Sequence, residues 1–239
     1  MLKRLMVGLV GAMAFAALGS AAPIVYNVTA ANGATATASF TFGTNTLSLV
    51  LTNTTVNPGD VAFNLSAFSF DLAGAVGVVE TSASSPTSRT VNSDKTYTDA
   101  AGPNTVASVG WVLTAASPNI KVDVLSGGGA GPTNTILGLP AADNKYDAAN
   151  SSIAGNGAHN PFLENSITFG FTFTSGVTAN STPSNVRFQF GTTDGSNIST
   201  GCLVGGPNCT STTTPEPITS GLVGSGLIAL FFLRRRVRG

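Results

Sequence analysis

Apolar residues at every second position are the feature that most restricts the fold of this chain. They alternate over 35–42 and again over 47–51, after a turn-forming Gly-Thr-Asn triplet at 43–45. A period of two places apolar side chains on one face of a strand, and a short glycine-bearing loop joins two such strands. The segment is therefore predicted to form a β-hairpin with one buried face.

The same alternation predicts further strands along the middle of the chain. They lie near 61–65, 68–72, 109–113, 120–124, 167–173 and 186–190. The phase slips at Ser66-Ala67, which indicates a bulge or a break between two strands. Lys121 and Asp123 alternate with apolar neighbours, so one face of each sheet is expected to meet solvent, which favours antiparallel pairing.

Two sheets with one apolar face each bury those faces against each other. The predicted fold is therefore all-β: an antiparallel, jelly-roll-like β-sandwich of about eight strands. Its core is expected to hold most of the 14 phenylalanines and Trp111, whereas Tyr26, Tyr97 and Tyr146 are expected in loops. Two long polar segments, 81–107 and 126–161, are expected to be functional or to form extra strands.

Charge is unevenly distributed along the chain. Six of the eleven basic residues lie at the two ends, and the segment 23–214 holds ten acidic against five basic residues. Nucleic-acid binding needs clustered positive charge. A middle segment with a net charge of −5 therefore argues against a nucleic-acid partner.

The N-terminus has the pattern of a secretory signal. Lys3 and Arg4 precede an apolar run over 5–18, and small residues follow at 19–22. Basic, apolar and small-residue regions in this order are typical of a signal peptide that signal peptidase removes. Residues 1–21 are predicted to be this signal; the alternative, a retained anchor, requires an unusually short span.

The C-terminus combines a proline-containing tripeptide with a hydrophobic segment and a basic tail. The tripeptide is Pro215-Glu216-Pro217, the apolar segment covers 218–233, and the basic residues are Arg234, Arg235, Arg236 and Arg238. Sixteen helical residues reach about 24 Å, a little less than the ~30 Å hydrocarbon core of a bilayer. The segment is predicted to be a transmembrane helix whose arginines stay cytoplasmic.

This order of tripeptide, helix and arginine cluster over 215–239 resembles the PEP-CTERM sorting signal. The resemblance implies an exported protein of a Gram-negative bacterium whose tail is removed by an exosortase, with exopolysaccharide as an associated partner. It also implies a place in the cell envelope, on the outer surface or in the extracellular matrix, with a membrane anchor before processing. The alternative is a stop-transfer anchor that is never processed.

Between the two terminal signals, the chain is predicted to form an ectodomain over 22–200 and a linker over 201–214. The linker contains Cys202, Cys209 and a Thr-rich stalk. Two close cysteines in an exported chain are expected to form a small disulfide loop. Free thiols or a metal site are the alternatives, but two cysteines without a nearby histidine do not supply the four ligands of structural zinc.

Catalytic patterns are weak in this sequence. His159 is the single histidine, in a loop before a strand, and no Gly-x-Ser-x-Gly motif occurs. Carboxylates that could form a glycosidase pair show no informative spacing and are interpreted as solvated loop charges. They are Glu80, Asp94, Asp99, Asp143, Asp147 and Glu164. The protein is therefore predicted not to be an enzyme.

Calcium is the one metal ion for which this sequence offers oxygen-rich loops. The segments 143–147 and 194–197 offer Asp and Asn oxygens, although neither forms a twelve-residue loop with a terminal Glu. Asp and Asn are also ordinary turn formers, so no cofactor is predicted and calcium stays an open alternative. The predicted function is a non-enzymatic, structural or adhesive surface protein. A carbohydrate-binding module or a secreted hydrolase are the alternatives.

Overall fold

The computed structural model describes residues 22–126 and 131–206 of the 239-residue chain. The predicted signal peptide, Cys209, the Thr-rich stalk and the sorting signal at 215–239 lie outside the described residues. A compact unit ends at Cys202, and residues 203–206 are the described part of the unit that follows. In the described ranges, no helix combines the length and the apolar character needed to cross a bilayer.

The described residues are almost entirely strands and turns, so the predicted all-β class is confirmed. The strands are β1 (Ile24–Thr29), β2 (Thr35–Gly43), β3 (Thr46–Asn53), β4 (Leu65–Asp71), β5 (Val79–Ser84), β6 (Thr87–Val91), β7 (Tyr97–Ala101), β8 (Val112–Ala116), β9 (Asn119–Asp123), β10 (Ile136–Leu137), β11 (Phe162–Glu164), β12 (Ser166–Thr172), β13 (Ser184–Phe190), β14 (Ile198–Thr200) and β15 (Cys202–Leu203). A 3-10 helix covers Val61–Phe63 and one short α-helix, α1, covers Val106–Val109.

The strands form two sheets. The six-stranded sheet has the order β15-β1-β2-β3-β12-β5. The predicted β2–β3 hairpin is present, but Gly43 belongs to β2 and faces Thr46, so only Thr44 and Asn45 make the turn. Asn45 takes a positive φ of 53° there, which asparagine tolerates better than most residues.

The nine-stranded sheet branches at β4. One edge of β4 pairs with β13, which pairs with β14. Along its other edge β4 pairs with β9 over 67–71, and at Leu65 it pairs with β10. One limb continues through β9 to β8 and the other through β10 to β11, β6 and β7. The prediction of purely antiparallel pairing is wrong for β10 and β11, which run parallel.

Aromatic rings fill the space between the two sheets. Phe40 of the six-stranded sheet has its ring centroid 5.1 Å from that of Phe70 and 5.9 Å from that of Phe68, both on the other sheet. Phe68 in turn lies 4.9 Å from Phe188 in a T-shaped arrangement. Edge-to-face contacts of this kind add to the stabilisation from apolar burial. The two sheets thus cover each other's apolar faces, as in a sandwich.

A second, smaller hydrophobic cluster lies under the limb that contains β6, β10 and β11. Turns of the segment 141–161 supply three of its seven buried members, including Tyr146, which is fully buried. Its buried members are Val61, Val91, Leu137, Tyr146, Ala149, Ile153 and Phe162. The long polar segments of the sequence therefore build extra strands and an additional core.

The phase slip at Ser66 is a β-bulge, as the sequence indicated. Gln189 faces Ala67 and Phe190 faces Leu65, so Ser66 has no opposite residue. The strand predicted through 61–65 is wrong at its start, because Val61–Phe63 is a 3-10 helix. Asp60 begins this helix by accepting a hydrogen bond of 2.8 Å from the Ala62 amide. This cap gives a backbone amide of the turn a hydrogen-bond partner. The alternation of apolar residues alone does not predict a helical turn of this kind.

The strand predicted over 109–113 is also partly wrong. Val109 ends α1, and Gly110 closes the helix with a left-handed φ of 71° before β8 begins at Val112. Glycine adopts this conformation without strain. Val109 and Trp111 are nevertheless buried, as expected, and Trp111 packs against Phe169 with a centroid distance of 5.6 Å.

The positions of the tyrosines and of Asp123 differ from the sequence-based prediction. Tyr26 lies in β1 and is buried, with its hydroxyl donating to the carbonyl of Pro183 at 2.8 Å. Tyr97 lies in β7, and Tyr146 belongs to the second cluster. Asp123 was expected on a solvated face but has no exposed surface. Its carboxylate instead ends β9 by accepting backbone and side-chain hydrogen bonds.

Candidate functional site

The outer face of the nine-stranded sheet carries a row of polar side chains across four neighbouring strands. Ser69 on β4 faces Lys121 on one side and Arg187 on the other, and Arg187 faces Thr200. Residues that face each other in an antiparallel ladder project from the same side of the sheet. The row therefore runs across the strands on the side away from the phenylalanine core.

Small residues on the central strand turn this face into a groove. Ala67 and Ser69 line its floor, and Lys121, Arg187 and Ile198 rise around it. The groove has a volume of about 220 Å³. Ile198 is 47% exposed and adds an apolar surface to the rim. We call this feature the outer-face groove.

The loop between β13 and β14 closes one side of the outer-face groove. Its Asp194 reaches across β4 and accepts a hydrogen bond of 3.0 Å from Lys121 Nζ. Lys121 Nζ also lies 3.4 Å from a carboxylate oxygen of the buried Asp123. Burial of Lys121 disfavours its charge, but the hydrogen bond to Asp194 and the two carboxylate charges outweigh this effect and raise its pKa. Lys121 is therefore a fixed cation within the groove wall.

Arg187 differs from Lys121 in having no such partner. It is exposed and makes no ion pair with any residue of the described ranges. Its guanidinium offers planar, paired donors that suit carboxylates and vicinal hydroxyls. The groove thus combines free donors, a carboxylate acceptor at Asp194 and a small apolar surface.

The single histidine does not line the outer-face groove. His159 lies in the loop before β11, and its buried Nδ1 has no hydrogen-bond partner within the described part of the chain. The pKa of Asp60 is lowered, mainly by the hydrogen bond from the Ala62 amide. Both oxygens of Asp60 are occupied, one by the Ala62 amide and the other by Asn150 Nδ2 at 2.6 Å. Asp60 therefore organises the turn that begins the 3-10 helix.

Two of the carboxylates interpreted as solvated loop charges belong to a network around the buried Arg89. Arg89 is 4% exposed and is held by two hydrogen bonds of 2.7 Å to the oxygens of Asp99. Glu164 lies 3.5 Å away, and the guanidinium stacks 3.8 Å from the ring centroid of Tyr97. Tyr146 accepts from Arg89 at 3.1 Å, and its burial raises its pKa to about 12. Both residues lie on strands and join β6, β7 and β11, so the interpretation as loop charges is wrong for them; Asp99 is exposed, as expected, whereas Glu164 is partly buried.

Glu80 is the second glutamate of the described residues and has a different environment. It lies on β5 beside a cavity of about 390 Å³ with mainly apolar walls. Both carboxylate oxygens are buried and lack a hydrogen-bond partner in the described ranges. Burial raises the pKa of Glu80 to about 7. The interpretation of Glu80 as a solvated loop charge is therefore wrong, because it lies on a strand with both oxygens buried. Sequence spacing gave no signal for this site, because its walls come from separate segments.

The two oxygen-rich loops do not gather carboxylates around a common point. The Asp143 side chain accepts from the Lys145 amide at 3.2 Å, and the carbonyl of Asp147 accepts from Lys95 Nζ at 2.5 Å. Asp194 is engaged with Lys121. Residues 22–126 and 131–206 contain no group of three or more His, Cys, Asp or Glu side chains placed to hold a metal ion.

The predicted sorting residues lie outside the described residues. These residues are Pro215, Glu216, Pro217, Arg234, Arg235, Arg236 and Arg238. Cys202 lies in β15, whereas Cys209 is outside the described ranges, so the pairing of Cys202 with Cys209 stays a prediction.

The fold and the outer-face groove define an all-β protein with a polar groove on one sheet. No protein-family model, curated protein or solved structure matches this chain.

Proposed function

We propose that this protein is an exported cell-surface or extracellular-matrix protein with a non-enzymatic, structural or adhesive role. The observation that carries the proposal is the order of segments: a secretory signal, a β-rich ectodomain, and a tail at 215–239 that resembles the PEP-CTERM signal. In this proposal, signal peptidase removes residues 1–21, and an exosortase removes the tail with its membrane helix. The ectodomain then stays in the envelope or matrix, where exopolysaccharide is its neighbour.

Several carboxylates already have hydrogen-bond or ion-pair partners within the fold, which favours a structural role. Asp60 begins a helical turn, Asp99 and Glu164 surround Arg89, and Asp123 ends a strand. These carboxylates hold the scaffold together by hydrogen bonds. The proposal also includes a jelly-roll-like topology for the sandwich and a disulfide between Cys202 and Cys209. Non-reducing peptide mapping of the mature protein tests the disulfide.

Intact mass of the protein from the envelope and medium of its native host tests the proposed sorting. The expected mass lacks residues 1–21 and the residues beyond about 217, and includes any group added at the new C-terminus. A Glu216→Ala variant is expected to retain the tail, whereas Asp143→Asn in an exposed loop is expected to be processed normally. A native protein that retains residues 218–239 would identify the tail as a plain membrane anchor.

A carbohydrate-binding module is the second candidate, and the outer-face groove favours it. The groove presents Arg187 with free donors, Asp194 as an acceptor and Ile198 as an apolar surface. Sugars are recognised by such combinations of hydrogen bonds and apolar contact. Titration of the mature protein with polysaccharide from its own host is expected to saturate. Arg187→Gln is expected to weaken binding, whereas Lys145→Gln, which removes the same charge elsewhere, is not. Equal binding by both variants would remove the groove from consideration.

A further inference from the structure

An open seam lies between the edges of the two sheets. β5 is the last strand of the six-stranded sheet, and β8 ends one limb of the other sheet. The cavity of about 390 Å³ beside Glu80 lies between these two strands. Its other walls are Val106, Ala107, Gly110, Trp111, Val112 and Leu113. Val112 is 44% exposed, so the cavity reaches the protein surface.

Glu80 faces this cavity from the core side of β5. It pairs with the buried Phe171 on β12, which places both side chains on the same side of the sheet. A register shift beside this pair makes Thr81 the extra residue of β5. Both Glu80 oxygens are buried and unpartnered in the described part of the chain. A carboxylate in this state is costly unless a donor or a positive charge compensates for it.

Among the described residues, the surroundings of Glu80 supply no such compensation. None of the other residues that line the cavity has a titratable side chain, and neither has Phe171. The raised pKa has desolvation as its cause. A bound proton or a bound cation therefore has to balance this charge.

We propose that the cavity beside Glu80 binds a small organic cation with an apolar body, of the primary alkylammonium class. The volume lies within the range of about 300–1,000 Å³ usual for small-molecule sites, which are mostly apolar with a few polar groups. The apolar walls bury the alkyl part. A change in the Glu80 side-chain rotamer brings its carboxylate to the ammonium group, where charge-assisted hydrogen bonds form.

The chemistry of Glu80 adds a proton to this equilibrium. Burial raises the pKa of Glu80 to about 7, so part of the protein carries a neutral acid at neutral pH. An alkylammonium ion pairs with the ionised form and therefore displaces the proton. Binding is expected to be tighter at pH 8 than at pH 5.5 and to release protons between these values.

Titration of the mature protein with n-butylammonium tests the proposal, with 1-butanol as the neutral probe of similar shape. Trp111 is the single tryptophan of the chain and lines the cavity, so its fluorescence reports occupancy. Saturable n-butylammonium binding is expected at pH 8, with at least about tenfold weaker affinity for 1-butanol and for the Glu80→Gln variant. Asp143→Asn, a carboxylate change in a distant loop, serves as the matched control and should bind as the wild type does.

A second measurement on the unaltered protein keeps the test valid if Glu80→Gln does not fold. Calorimetric titrations in two buffers of different ionisation enthalpy measure the protons released on binding. Proton release that increases between pH 8 and pH 6 supports the role of Glu80. Absence of saturable n-butylammonium binding, equal affinity for 1-butanol, or binding without proton release near neutral pH would overturn the proposal.

Discussion

Arg89 and Asp99 face each other across β6 and β7, and two hydrogen bonds of 2.7 Å join the guanidinium to both carboxylate oxygens. Arg89 has a side chain that is only 5% exposed, whereas that of Asp99 is 37% exposed. The pair therefore connects a buried cation to the edge of the sheet. Because Arg89 also contacts Tyr146, it joins this edge to the second hydrophobic cluster.

Asp99→Asn is expected to destabilise the fold by about 1.5–3 kcal/mol, as for hydrogen bonds to a charged group, because Asp99 is partly exposed and Glu164 stays 3.5 Å from Arg89. The amide keeps one acceptor, but Arg89 loses its bidentate carboxylate and stays buried. The denaturant midpoint at constant m-value measures the loss. Asp143→Asn makes the same chemical change in an exposed loop and should alter stability by less than about 0.5 kcal/mol. Equal effects of the two changes would contradict the structural role of Arg89.

Stability is expected to fall as the pH rises through about 7, because of Glu80. Burial raises its pKa from 4.5 to about 7, so the folded chain retains a proton that the unfolded chain releases. The contribution is complete below pH 4.5 and is lost above about 7. Its size is about 1 to 2 kcal/mol after allowance for nearby solvent. Unfolding at pH 5 and pH 8 measures it, and Glu80→Gln should remove most of this difference.

Asn53→Asp is expected to cost about 3 kcal/mol or more, because each buried polar group left unsatisfied costs about 1–3 kcal/mol. The buried Asn53 amide donates to the carbonyls of Phe63 and Ile136 at 2.9 and 2.8 Å. A carboxylate would instead face both carbonyl oxygens without a donor. Thermal unfolding checks this expectation, with the exposed Asn180→Asp as the control; a loss no larger than that of the control would count against it.

Lys121 provides an internal comparison of a buried and an exposed carboxylate. Asp123 is fully buried and accepts from the Ser126 amide and hydroxyl at 2.6 and 2.8 Å, whereas Asp194 is exposed. Asp123→Asn is expected to cost about 1.5–3 kcal/mol, as for hydrogen bonds to a charged group. Asp194→Asn is expected to cost about 0–1 kcal/mol, as for a surface ion pair. Chemical denaturation of the two variants checks the order, and the reverse order would show that burial does not decide these contributions.

Alternation predicted the hairpin of β2 and β3, the strand β12 and the core phenylalanines, because a half-buried strand repeats every second residue. It failed where a local side-chain hydrogen bond competes with strand pairing. Asp60 and Thr105 each cap a short helix in a segment that was predicted to be, or to precede, a strand. Polar residues of this kind favour caps and turns, which cannot be predicted from the periodicity of apolar residues.

The candidate site was less predictable than the fold. The row of Lys121, Ser69 and Arg187 depends on registers between strands far apart in sequence. Glu80 shares its cavity with residues some 26 to 33 positions later in the chain. A single sequence carries no record of such register, so it predicted neither the groove nor the unpartnered carboxyl.

The branching of the nine-stranded sheet at β4 has a consequence for how this protein opens. Both limbs and β13 hydrogen-bond to this one strand, so separation of β4 removes support from the phenylalanine core and from the second cluster together. The amides of β4 should therefore exchange with solvent only through global unfolding, whereas those of the distal strands β7 and β8 exchange through local fraying. β4 thus couples the two limbs and β13 into one cooperative unit.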